Sequence, residues 1–161
     1  LSDYEGDKAD SEIGCCQVYR VDPISGQVDC VANDFVKPNG LAFSRDGKKL
    51  YIADTGASHD PDGPKHIRVF DVIDGGKRLG ESRIFAECTV GLFDGFRVDR
   101  NDRLWISAGD GIHVYNHNGA LIGKLRLPET VANLQFGGIK GNILYICATC
   151  SLYCCRLAIC G

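Results

Sequence analysis

Residues 38–56 have the sequence PNGLAFSRDGKKLYIADTG, and the order of features in this stretch decides the fold class. The turn signal PNG precedes a short apolar run, a polar SRDG turn follows, and a second apolar run ends at an acidic residue. Short apolar runs bounded by Gly, Asn or Asp are typical of β-strands joined by tight turns. The stretch therefore predicts two adjacent antiparallel strands.

The same order of features recurs along the chain. Residues 93–111 and 131–150 repeat the two-strand pattern. A second kind of segment alternates apolar and polar residues and ends at a polar turn; its examples are residues 18–22, 67–71, 112–116 and 152–156. A repeat of 40–50 residues with about four short strands per unit is typical of a β-propeller, and a sandwich or barrel would not repeat its turns in this order.

The number of repeats indicates only part of a ring. The chain contains three complete repeats and a partial one at each end, about half of a six-bladed propeller. We therefore expect residues 1–161 to form a single, partial, all-β propeller domain of about three to four blades. The chain starts at Leu1 and contains no Met, so we expect a piece of a longer protein. Half a ring leaves strand edges and apolar flanks open, which would allow self-association.

Composition excludes several classes of function. The 18 basic and 21 acidic residues give a net charge of −3, which argues against a nucleic-acid partner. No apolar run approaches the ~18 residues of a membrane span. The nine cysteines are interpreted as free thiols that pack as small apolar residues, which favours the cytoplasm. Disulfides or a zinc site at Cys147 and Cys150 are the alternatives.

Two polar residues occupy the same place in successive repeats. Asn39 and Asp94 each stand directly before Gly and an apolar strand, whereas the third repeat has Ala132 there, followed by Asn133. The first strand of each propeller blade lines the channel, so amide and carboxylate oxygens at its start can converge on a hard cation such as Ca²⁺. The alternative is that Asn-Gly and Asp-Gly simply form turns.

Residues 38–56, 94–111 and 128–138 resemble the senescence-marker-protein/gluconolactonase family, the regucalcin-type propellers. The loop at 58–68 and the segment 11–23 are similar to its bacterial gluconolactonase-like members. The resemblance covers essentially the whole chain but only the C-terminal half of the family's length. It implies a six-bladed propeller that holds one divalent cation and hydrolyses sugar lactones.

The resemblance also implies roles for residues. Asn39 and Asp94 match the family's metal-binding positions, and Asp94 is the candidate catalytic residue that orients water. Ca²⁺ is the first expectation for the cation, with Zn²⁺, Mn²⁺ or Fe²⁺ as alternatives. The family's remaining acidic ligand and its substrate-contacting Asn and Arg precede Leu1. Asp54 is a candidate to stand behind the ligands, and Glu5 or Glu12 could reach the substrate or belong to a solvated loop.

The expected activity is therefore metal-dependent hydrolysis of a cyclic ester, a sugar lactone. Serine-hydrolase, P-loop, dinucleotide and HExxH motifs are absent from the sequence. Two alternatives remain open: a non-catalytic Ca²⁺-binding or scaffold propeller, and a thiol-based metal binder that uses the C-terminal cysteines. The sequence leaves the substrate-binding residues and the particular lactone open.

Overall fold

The computed structural model describes residues 13–161, which form antiparallel strands and two short 3₁₀ turns at Gly56–Ser58 and Asp74–Gly76. Within these residues no helix is both long and apolar enough to cross a membrane. The strands are β1 Cys16–Val21, β2 Val28–Phe35, β3 Pro38–Phe43, β4 Lys49–Asp54, β5 His66–Ile73, β6 Arg78–Glu87, β7 Phe96–Val98, β8 Leu104–Ala108, β9 Gly111–Tyr115, β10 Leu121–Arg126, β11 Val131–Gly137, β12 Ile143–Ala148 and β13 Leu152–Arg156.

The strands form four antiparallel sheets in chain order: β1-β2, β3-β4-β5-β6, β7-β8-β9-β10 and β11-β12-β13. The first strands of the last three sheets lie beside one another, since β3 contacts β7 and β7 contacts β11. The two-strand pattern of the sequence corresponds to β3-β4, β7-β8 and β11-β12, and the alternating segments to β1, β5, β9 and β13. The all-β, partial-propeller prediction is confirmed.

Three apolar clusters join the four sheets face to face. In β4, Leu50 and Ile52 pack against the β1-β2 sheet, whereas Tyr51 and Ala53 pack against the β7–β10 sheet. Side chains of a strand alternate between the two faces of its sheet, so a strand in a sheet that lies between two other sheets buries its residues on both faces. Trp105 in turn faces the last sheet, where its ring meets Phe136 edge to face at 5.7 Å. This stacking of sheets positions the first strands side by side.

Among residues 13–161, each terminal sheet has one face that no other described sheet covers. The first flank consists of Tyr19, Val21, Val28 and Cys30, and Tyr19 and Val21 are about half exposed. The last flank consists of Tyr145, Cys147, Leu152 and Cys154, in which Leu152 is 71% exposed. Cross-strand pairing places the members of each flank on one face. These are the open apolar faces expected of part of a ring.

The cysteines correct one expectation from the sequence. All nine are free thiols, as predicted, so the disulfide alternative is wrong. Only Cys88 is buried, however, and Cys30, Cys147, Cys150 and Cys154 are exposed. Cys30, Cys147 and Cys154 lie on the two flanks. The faces of these sheets are apolar, as is typical of a sheet that packs against a neighbouring blade. Burial of the whole set was therefore the wrong expectation for the terminal sheets.

Candidate functional site

Asn39 and Asp94 meet where β3 lies beside the start of β7. The side-chain amide of Asn39 lies close enough to the Asp94 carboxylate to act on it as a hydrogen-bond donor and lower its pKa. Both residues are half-buried. Donation through Nδ2 leaves Oδ1 of Asn39 free to act as an oxygen ligand, while the carboxylate keeps further lone pairs. Two residues that are 55 positions apart in sequence thus form one polar pair.

The glycines after Asn39 and Asp94 serve close packing rather than turns. Gly40 lies within β3, and neither Gly40 nor Gly95 has a positive φ. A Cβ at position 40 would overlap the carbonyl oxygen of Asp94. A Cβ at position 95 would overlap the carboxamide of Asn133. The alternative that these dipeptides only make turns is therefore wrong, because the glycines allow three inner segments to approach one another.

Irregular pairing accompanies this approach. The register of β3 with β4 shifts between Pro38 and Leu41, and that of β11 with β12 shifts between Val131 and Asn133. Such bulges redirect side chains and are frequent next to active sites. The third repeat has no acidic residue here: its Ala132 carbonyl accepts a hydrogen bond from the backbone N–H of Gly95 at 2.8 Å.

The electrostatics of Asp94 differ from those of the other shielded carboxylates. Burial raises the pKa of Asp94, and among the described residues only the hydrogen bond from Asn39 opposes that rise. The fully buried carboxylate of Asp99, in contrast, accepts hydrogen bonds from Arg103 at 2.7 Å and from Trp105 at 2.9 Å. Asp99 is paired with an arginine and has a structural role, whereas the described partner of Asp94 is a neutral amide, and a nearby cation would favour the charged form of such a carboxylate.

Asp54, the candidate to stand behind the ligands, acts on the backbone that leads into β3. Its buried carboxylate accepts backbone N–H bonds from Val36 at 3.0 Å, Lys37 at 2.8 Å and Gly56 at 3.2 Å. Three amide donors occupy both oxygens. Asp54 therefore fixes the turn that leads into β3 and contributes to the placement of Asn39 through the backbone.

Ser107 is a component of the site that sequence reasoning missed. Its buried hydroxyl accepts the Asp94 N–H at 3.2 Å and donates to the Ala132 carbonyl at 3.3 Å. The feature of the sequence that could have identified it is its position: Ser107 is a hydroxyl residue where the neighbouring repeats carry Ala53 and Cys147.

The pair fits part of a cation site. Carboxylate and amide oxygens are the donors that Ca²⁺ prefers, but Ca²⁺ takes six to eight of them. Across residues 13–161 no three His, Cys, Asp or Glu side chains are grouped closely enough to hold a metal ion. The C-terminal cysteines thus form no such group, and the thiol-based metal site has no support from the described residues. Glu5 and Glu12 lie outside the described residues.

The comparisons with known proteins agree with this architecture. The sequence model of the protein family described as the SMP-30/Gluconolactonase/LRE-like region matches residues 2–150. Lactonohydrolase oryH of Aspergillus oryzae is 31% identical over 146 residues, which are 80% of this chain and 31% of that protein. The gluconolactonase of Zymomonas mobilis is 29% identical over 141 residues, 82% of this chain and 38% of that protein.

A solved structure extends the agreement to three dimensions. The gluconolactonase of Xanthomonas campestris superimposes with a TM-score of 0.83 at 36% identity, covering 92% of this chain and 47% of that protein. The chain thus spans less than half the length of each of these three relatives. Since the family model matches nearly the entire chain and the sheets superimpose on a solved relative, the chain belongs to the SMP-30/gluconolactonase/LRE-like family.

Proposed function

We propose that this chain supplies the Asn39–Asp94 portion of the metal site of a sugar lactonase. The observation that supports the proposal is the half-buried pair itself: a carboxylate with a raised pKa whose described partner is a neutral amide. The relatives are named lactonohydrolase and gluconolactonase, so the proposed reaction is hydrolysis of a cyclic ester of a sugar acid. Free thiols favour a reducing compartment, and we propose the cytoplasm.

The chain's residues have distinct tasks in this reaction. Asn39 Oδ1 and a carboxylate oxygen of Asp94 would hold the cation, with Ca²⁺ as the first choice on oxygen chemistry and Zn²⁺, Mn²⁺ or Fe²⁺ as alternatives. The cation, when bound, supplies polarisation of the lactone carbonyl and positive charge opposite the developing oxyanion. The second oxygen of Asp94 accepts a hydrogen bond from the attacking water and orients it. Cleavage of the ring ester gives an open-chain hydroxy acid.

A second candidate is a non-catalytic Ca²⁺-binding or scaffold module. It is favoured by the small donor set, which among the described residues consists of Asn39 and Asp94. A fold does not fix an activity, and ligands outside the chain would have to complete the site.

Hydrolysis of an aldonolactone separates the two candidates. The purified chain is mixed with glucono-1,5-lactone, and acid release is followed above the uncatalysed rate during titration with Ca²⁺, Mn²⁺, Zn²⁺ or Fe²⁺. We expect turnover that requires one of these cations and disappears with a chelator. A rate equal to the uncatalysed one at every cation concentration would rule out the lactonase role for this chain and favour the scaffold.

The two flanks also predict self-association of the 161-residue chain. The chain spans 47% of the Xanthomonas gluconolactonase, so two copies supply about one ring's worth of blades. Sedimentation velocity is expected to show a dimer whose fraction rises with concentration. Leu152→Lys should favour the monomer because it places a charge on the last flank, whereas Ile24→Lys, at a still more exposed apolar position outside the flanks, should not. A monomer at all concentrations would contradict the prediction.

A further inference from the structure

We propose that Ser107 is a positioning residue for Asp94: its buried hydroxyl holds the Asp94 backbone so that the carboxylate meets Asn39. The proposal rests on the proposed function in one respect, that the pair binds a cation. Ser107 is fully buried in β8, and a hydroxyl removed from water needs hydrogen-bond partners. Its partners are the Asp94 N–H and the Ala132 carbonyl.

Hydrogen bonds fix the backbone on both sides of Asp94. The N–H of Asp94 itself donates to Ser107 Oγ at 3.2 Å. The next N–H, that of Gly95, donates to the Ala132 carbonyl at 2.8 Å, and the Gly95 carbonyl accepts the Ser107 N–H at 3.1 Å. With both adjoining peptide groups held, the φ and ψ angles of Asp94 are set. The direction of its Cα–Cβ bond follows from those angles.

The Ser107 hydroxyl also links neighbouring sheets. Ser107 belongs to the β7–β10 sheet, and Ala132, which accepts its hydrogen bond, belongs to β11. The Ala132 carbonyl therefore accepts from both Ser107 and Gly95. Loss of the hydroxyl would leave the shielded Asp94 N–H without this acceptor, and a donor in that condition pulls the backbone towards another partner.

The repeat pattern indicates that the hydroxyl is not required to build the strand. Equivalent positions in the neighbouring repeats are Ala53 and Cys147, and both lie in regular strands. The hydroxyl occurs in the repeat that carries the charged member of the pair. In the Asn39 repeat, the incoming turn is anchored instead by Asp54.

The test compares Ser107→Ala with Ser107→Thr and Ile106→Val by NMR of the ¹⁵N-labelled chain. The Asn39 side-chain amide signals report its hydrogen bond to Asp94 without metal, and Mn²⁺ alone reports cation binding by broadening the Asn39 and Asp94 signals. We expect Ser107→Ala to shift the Asn39 amide signals and to raise the Mn²⁺ concentration for half-broadening at least about tenfold. Ser107→Thr, which keeps the hydroxyl, should restore both readouts.

Ile106→Val is the matched control, since it truncates the adjacent fully buried residue of β8. It should lower stability and leave both readouts as in the wild type. If the Thr methyl prevents folding, Ser107→Cys takes its place and should give intermediate values. Wild-type Asn39 signals in Ser107→Ala would overturn the proposal. Absence of Mn²⁺ broadening in the wild type would instead refute the cation site, while the Asn39 signals still decide the role of Ser107.

Discussion

Asp94→Asn is expected to abolish metal-dependent lactone hydrolysis and to leave the fold intact. Asparagine keeps the size of the side chain and removes the only negative charge of the pair formed with Asn39. A hard cation loses more from the absence of a carboxylate than from the absence of a neutral oxygen. We expect cation affinity to fall at least about 100-fold, the upper end of the loss observed when only a group supporting a ligand is removed. Lactone hydrolysis measures the loss of activity, and Mn²⁺ broadening of the Asn39 signals measures the loss of affinity.

Asp94→Asn lowers activity, but it is not expected to lower the free energy of unfolding. Burial raises the pKa of Asp94, so the folded protein disfavours its charged form. In the absence of metal, Asp94→Asn should therefore be at least as stable as the wild type near neutral pH. A raised folded-state pKa means that this difference shrinks as the pH falls and vanishes below the ordinary carboxyl pKa of about 3.9, where the group is protonated in both states. Urea unfolding at several pH values measures the trend.

Two further variants serve as comparisons for Asp94→Asn. Asn39→Ala should weaken cation binding less, because water can replace a neutral amide oxygen. Asp71→Asn makes the same chemical change at an exposed carboxylate of β5 that pairs with Lys49 at 2.8 Å, and it should leave the rate unchanged. If Asp94→Asn hydrolyses lactone as fast as the wild type, Asp94 only shapes the backbone and the proposed site is wrong.

The sequence predicts the strands whose apolar and polar residues alternate and those that are bounded by turns. It does not mark the outermost strands of a sheet individually. β4 and β8 are buried on both faces, so their apolar runs are unmistakable. The outer strands β6 and β10 carry exposed and charged residues, so no apolar pattern marks them individually. Their existence follows from the repeat as a whole, and their bounds require the paired partner.

Within the candidate site, the sequence predicts that Asn39 and Asp94 lie together. They occupy corresponding positions of successive blades, and such positions become neighbours in a propeller. The function of Gly40 was not predictable in this way. An Asn-Gly pair indicates a turn when considered locally, and the need for glycine arises from an approach between strands that only the packed sheets create. Ser107 was missed for the same reason, since its partners lie on the Asp94 segment and on β11.

Gly40→Ala is expected to cost about 3 kcal/mol of unfolding free energy, a large effect for the addition of one methyl group. Its Cβ would overlap the backbone carbonyl of Asp94, and a carbonyl held in the packed sheets cannot rotate away as a flexible side chain can. Relief requires β3 to move from the Asp94 segment. That movement would separate Asn39 from Asp94, so the variant should also weaken cation binding. Urea unfolding and Mn²⁺ broadening measure the two effects.

Gly123→Ala provides the matched control, because Gly123 lies in strand β10 and a Cβ there meets nothing within 4 Å. Alanine reduces the freedom of the unfolded chain, so this variant should be as stable as the wild type or more stable by up to about 1 kcal/mol. The same substitution in two strands thus has opposite expected signs, and only the approach of a neighbouring backbone separates them. Equal unfolding midpoints for Gly40→Ala and Gly123→Ala would contradict that approach, and with it the physical reason why Asn39 reaches Asp94.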